Sequence, residues 1–135
     1  GATHTINSAD GKAAEKVKAL TGGRGVDAAI EAVGVPATFQ LCQDLVAPGG
    51  VIANIGVHGA KVELHLERLW SQNISITTRL VDTVTTPMLL KTVQAKKIDA
   101  TRLITHRFRL DQILEAYETF GHAADTHALM VLIEA

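Results

Sequence analysis

Cysteine is nearly absent from this sequence, and so are several other features that would mark a self-contained chemistry. Cys42 is the single cysteine among 135 residues. That count excludes an intramolecular disulfide and any multi-cysteine zinc site within the chain, and it fits a reduced, cytoplasmic setting. Neither sign of charge is in excess, since 13 Lys and Arg stand against 14 Asp and Glu for a net −1. Nothing electrostatic therefore points to nucleic acid or an anionic membrane as partner. Long apolar runs are missing too: none approaches the ~18 residues that a membrane span needs, and no basic-then-apolar leader is recognisable. A phosphate-binding glycine loop between a strand and a helix is also lacking. Gly22-Gly23-Arg24-Gly25 has the composition of one, but it follows a helical stretch and precedes a strand-like one. A phosphate loop needs the reverse order.

What is present is an alternation of strand and helix patterns. Residues 26–33 form an apolar run closed by Gly34, and residues 51–56 repeat that design after Pro48-Gly49-Gly50. Near-continuous apolarity predicts strands covered on both faces, hence a parallel sheet. Between them Pro36 suits a first helical turn, with Phe39, Leu41, Cys42, Leu45 and Val46 as the buried side of a helix over 36–46. Residues 2–6 suit a short strand, and Ala13, Ala14, Val17 and Leu20 recur at helical spacing over 11–20. Further on, the pattern predicts a short helix near 66–72, a strand at 74–80, and a helix at 86–97 with Pro87 in its first turn. It then predicts a strand at 103–109, a helix capped by Asp111 and ended by Gly121, and a buried closing strand at 129–133. Strand–helix–strand with glycine at each strand's carboxyl end is how an open parallel sheet offers backbone to a ligand.

Several stretches resemble the medium-chain dehydrogenases. They include Gly23-Arg24-Gly25-Val26-Asp27, Glu31-Ala32-Val33-Gly34, Leu45-Val46-Ala47-Pro48-Gly49-Gly50 and Asn54-Ile55-Gly56-Val57-His58-Gly59. The tail adds Thr85-Thr86-Pro87-Met88-Leu89-Leu90, Leu103-Ile104-Thr105-His106-Arg107-Phe108 and Glu115-Ala116-Tyr117-Glu118-Thr119-Phe120. The set, in family order across the chain, is most similar to bacterial zinc-containing alcohol dehydrogenases. The resemblance implies an α/β fold: a partial Rossmann doubly wound parallel sheet plus a carboxyl-terminal segment belonging to the catalytic domain. Residues 1–80 would be the second half of the nucleotide-binding domain and residues 81–135 the helix and strand segment returning to the catalytic domain. In the family's strand order 3-2-1-4-5-6, residues 2–6 would be strand 3 and residues 26–33 strand 4, each without its usual neighbour. Such edges invite association, so the chain is expected either to self-associate or to let residues 2–6 slide against 26–33.

The resemblance also implies the chemistry: hydride transfer between NAD or NADP and a small-molecule alcohol or carbonyl, with zinc as Lewis acid. Family members hold the zinc ligands, the glycine loop and the residue choosing between NAD and NADP upstream of the region matched here. The chain is therefore expected to be a carboxyl-terminal fragment, inactive alone, with no catalytic or metal-ligating residue of its own. Implied cofactor contacts are Ala32, Val33 and Gly34, then Ile55, Gly56 and Val57, then Thr77, Thr78 and Arg79, with His127 where relatives often place Arg or Lys at the diphosphate. The glycines also suit plain strand-to-loop turns, Thr77-Thr78-Arg79 a solvated edge strand, and His127 a surface position. The strand at 74–80 is where the family pairs subunits, which implies a homo-oligomer. Rival readings are a zinc-free quinone or enoyl reductase of the same family, a methyltransferase-like sheet, and a non-catalytic dimerising module. The six histidines do not build a metal site by spacing: His58 and His65 are seven apart, His122 and His127 five, without acidic or thiol partners at ligand spacing. Glu63 and Glu67 could share a helix face as solvated carboxylates.

Overall fold

The computed structural model describes residues 2–80 and 84–135, which fall into two compact units divided between Val81 and Asp82. The leading Gly1 and the expected boundary at 80/81 thus lie at or beyond the edge of the described residues. No helix among them is long and apolar enough to cross a membrane.

The first unit is a three-stranded, all-parallel sheet in the order β1 (Val26–Glu31), β2 (Val46–Asn54), β3 (Ser75–Thr78). Helix α1 (Ala13–Leu20) precedes β1, α2 (Pro36–Leu45) crosses from β1 to β2, and α3 (Leu66–Leu69) with a 3-10 turn leads to β3. Pro36 opens α2 as expected, because a first-turn residue has no intrahelical use for its N–H. The core is Ala29, Phe39, Cys42, Val46 and Ile52, with Val26, Val62 and Ile74 packed against it. Ile52, at the centre of the middle strand, is fully buried. Gln43 fastens the next loop to α2: its Nε2 donates to the Glu63 carbonyl at 2.9 Å, and its Oε1 accepts from the His65 amide at 2.9 Å.

Three expectations for this unit need correcting. Residues 2–6 form no strand, since nothing among the described residues pairs with them. Strand β2 begins at Val46 rather than after Pro48-Gly49-Gly50, and absorbs that turn through a register shift. Val26 pairs with Val46, but Ala28 already pairs with Val51, and Gly49 takes a left-handed φ of 78° at the bulge. Finally β1 is covered on one face only among the described residues: Ala29 and Glu31 are buried, while Ile30 is 66% exposed.

The second unit pairs β4 (Ile104–Arg109) in parallel with β5 (Met130–Glu134), joined by α5 (Ile113–Gly121) and the short α6 (Ala123–Thr126). Helix α4 (Thr86–Gln94) comes first. A 3-10 turn at Leu110–Gln112 precedes α5, so Asp111 lies inside that turn instead of capping the helix. The Gln112 side chain accepts there from the Arg109 amide at 3.1 Å.

Candidate functional site

Parallel register decides which residues share the carboxyl edge of the first sheet. Glu31 pairs with Asn54, and Asn54 with Thr78. The three therefore lie side by side as the last row of the sheet, and the chain leaves all three strands at one edge. Ala32-Val33-Gly34 and Ile55-Gly56-Val57 follow the first two, and Arg79 follows Thr78. Thr77 lies one row back, paired with Ala53. At this edge the apolar side chains face outward, with Val33 65%, Ile55 56% and Val57 81% exposed. Nine of the ten residues expected to meet a cofactor thus belong to this unit and this edge. His127 belongs to the second unit, in a left-handed turn (φ 57°) between α6 and β5.

Behind the edge sits a polar arrangement that the sequence reading did not find. Glu31 is 1% exposed. Its Oε1 accepts from the Val33 amide at 2.9 Å, the Gly34 amide at 2.8 Å and the Thr38 hydroxyl at 2.6 Å. The Thr38 hydroxyl foremost, then the Gly34 and Val33 amides and the neighbouring His58, outweigh the cost of burial and lower its pKa to about 2. The Glu31 carbonyl also accepts from the amides of Ile55 at 2.9 Å and Gly56 at 3.1 Å. One residue therefore anchors both loops.

The second loop is held in turn by Asn54 and His58. Asn54 Nδ2 donates to the Gly56 carbonyl at 3.2 Å, while its Oδ1 lies 2.8 Å from His58 Nε2. The same nitrogen is 3.2 Å from Glu31 Oε2. Among the described residues Oε2 and His58 Nδ1 are buried with no hydrogen bond. The His58 ring meets Phe39 edge-on, 6.0 Å between centroids. The glycines are steric necessities here. Gly34 has φ 88°, and a Cβ on it would run into the Val57 backbone; a Cβ on Gly56 would strike Glu31 Oε2 and the Gly34 backbone.

Of these residues only Glu31 carries a signal in the sequence. It closes a mostly apolar strand run directly before a loop that must turn sharply, where an acid facing the core has few reasons to be there except to accept backbone N–H groups. By spacing alone His58 is set beside His65 instead. His65 goes elsewhere, with Nδ1 2.8 Å from Glu67.

Chemically the edge offers exposed backbone and aliphatic side chains, which fit a flat, weakly polar ring and a sugar. Zinc is a different matter. Among the described residues no group of three or more His, Cys, Asp and Glu side chains gathers to hold a metal, so these residues do not fit a zinc centre. The second unit adds an apolar cavity of about 430 Å³ lined by Tyr117, Phe120, Leu129 and Met130 among others.

Residues 1–95 match the family model described as zinc-binding dehydrogenase. The chain belongs to that family. Among curated relatives of this zinc-binding dehydrogenase chain, an alcohol dehydrogenase of Cupriavidus necator is 31% identical over 132 residues, covering 93% of the chain and 35% of the relative. An NADP-dependent isopropanol dehydrogenase of Clostridium beijerinckii is 33% identical over 127 residues, covering 86% of the chain and 35% of the relative. In structure the chain superposes on zinc dependent alcohol dehydrogenase 2 from Streptococcus pneumonia, apo form, with TM-score 0.90 and 51% identity, over all of this chain and 40% of that one. The chain thus spans about a third of the length of the curated relatives it matches. Its parallel α/β architecture is that of the Rossmann-like part of zinc alcohol dehydrogenases.

Proposed function

We propose that the carboxyl edge of the first unit is the nicotinamide-side half of the cofactor cleft in a zinc-dependent alcohol dehydrogenase using NAD or NADP. The observation that carries this reading is the row Glu31–Asn54–Thr78, which brings two glycine loops and Arg79 to one edge of a parallel sheet. Ligands of open α/β sheets bind outside the carboxyl ends of the strands, and the family membership supplies the cofactor class. Bound there, the dinucleotide would supply the hydride acceptor or donor. The chain's own residues would bind and orient it. Ala32, Val33 and Gly34 with Ile55, Gly56 and Val57 present backbone and an apolar wall, and Thr77, Thr78 and Arg79 extend that wall along β3. The family resemblance would assign His127 to the diphosphate and residues 81–135 to the catalytic domain.

Zinc would be held by residues outside this chain, whose own side chains take no part in its ligation. The substrate is a small alcohol or carbonyl compound. The exposed edge of β3 supports a homo-oligomer joined by strand pairing, and the buried, unpaired thiol of Cys42 supports a cytoplasmic setting.

Calorimetry on the full-length protein carrying this chain, titrated with NAD, NADP and S-adenosylmethionine, tests the reading. Binding of one nicotinamide dinucleotide, weakened at least tenfold by Ile55→Glu, is the expected result. Binding of S-adenosylmethionine alone, or dinucleotide binding indifferent to Ile55→Glu, overturns it.

A further inference from the structure

Asn54, His58 and Glu31 form a connected set whose proton positions follow from the geometry. Because Asn54 Nδ2 donates to the Gly56 carbonyl, the amide is oriented with Oδ1 toward His58. An amide oxygen only accepts, so His58 Nε2 carries the proton. Ionised Glu31 Oε2, 3.2 Å from that nitrogen, can only accept as well. The Nε2–H therefore stands between an acceptor at the end of β2 and one at the end of β1. From the Glu31 carboxylate the set continues to the Val33 and Gly34 amides, and from Asn54 to the Gly56 carbonyl. The imidazole thus lies against the ends of both strands, beside the direct bonds from the Ile55 and Gly56 amides to the Glu31 carbonyl. There is no slack between the two loops, because Gly56 packs on Glu31 Oε2 and on the Gly34 backbone without room for a Cβ.

We propose that His58, acting through Asn54 and Glu31, is a positioning residue that sets the separation between the Val33–Gly34 and Gly56–Val57 backbones, and so aims a bound nicotinamide ring at its hydride partner. This rests on the proposed cofactor cleft. A ring misplaced by about 1 Å can cost on the order of 100-fold in rate with little change in binding, so the relay governs turnover more than affinity. His58 touches no reacting atom in this account, and its neighbour Phe39 holds only the ring plane.

The test uses the full-length protein, with dinucleotide affinity of the wild type measured first. His58→Ala is expected to lower kcat at least about tenfold per folded molecule while Kd for the dinucleotide stays within about threefold. The primary deuterium isotope effect on kcat with a deuterated alcohol should rise, because hydride transfer becomes the slow step. His58→Gln, which keeps an N–H donor, should recover kcat to within about threefold of wild type. If His58→Ala does not fold, Asn54→Ala, which cuts the link at its other end, carries the same expectations. An unchanged isotope effect with kcat altered only in proportion to folded protein, or a His58→Gln no better than His58→Ala, overturns the positioning role alone. A wild type that binds no nicotinamide dinucleotide overturns the cleft itself, and this role with it.

Discussion

Replacing Gly34 by alanine separates two costs that the structure superimposes at one residue. The first is conformational: φ is 88°, in the left-handed half of the map, where a Cβ costs about 1–2 kcal/mol. The second is steric, because the new methyl would run into the backbone of Val57, which cannot rotate away as a side chain could. Forced repacking of that kind costs about 1–3 kcal/mol. Together the substitution should remove about 2–5 kcal/mol, and for a domain of this size that is a fall in Tm of at least about 8 °C. Two companion variants divide the total. Gly49 has φ 78° but open space around a Cβ, and Gly59 has open space and no left-handed backbone. Gly49→Ala should therefore show the conformational part alone, and Gly59→Ala should stay within about 0.5 kcal/mol of the parent. Thermal melts followed by circular dichroism give the three values. Equal losses at Gly34 and Gly49 would show that the two loops do not touch as described, and would refute the reasoning about their spacing.

Glu31 makes stability depend on acidity in a defined window. Its pKa drops from 4.5 to about 2 on folding, so the unfolded chain binds the proton more readily and the stabilisation is complete above about pH 4.5. It is lost as pH falls through that value toward 2; Glu31→Gln should flatten this part of a denaturant-midpoint-against-pH curve, and an unchanged slope counts against the buried carboxylate. The Cys42 thiol is pushed above its usual pKa, mainly by burial and secondarily by the Glu31 charge. It should stay unmodified by a thiol reagent in the native protein and react fully in denaturant; rapid labelling of the native chain would contradict the packing of α2 on the sheet.

Much of the architecture was legible because the signals were local. The apolar runs ending in Gly34 and Gly56, and Pro36 at the head of α2, each state a backbone requirement in one or two residues. The misreadings share a different cause, which is partnership at a distance. Residues 2–6 have strand-like composition, yet a strand exists only where another supplies hydrogen bonds. Pro48-Gly49-Gly50 reads as a stop, yet β2 runs through it, because the bulge lets Val46 pair with Val26 before the register resets at Ala28. At the candidate site the exposed contacts could be guessed from glycine positions. The Glu31–His58–Asn54 set could not, since Glu31 and His58 are separated by a whole crossover helix and strand and meet only when parallel pairing aligns Glu31 with Asn54.

The pairing of β4 with β5 has a consequence for synthesis. The two are parallel and separated by α5 and α6, so β4 finds its neighbour only when residues 130–134 have been made. At ordinary translation speeds this delay is about one to five seconds, long compared with the time a chain needs to close a loop. Throughout it no other strand among the described residues pairs with Ile104–Arg109, which leaves that edge open to capture by an unpaired edge nearby. Loss of residues 130–134 would make that interval permanent for the β4–β5 pair.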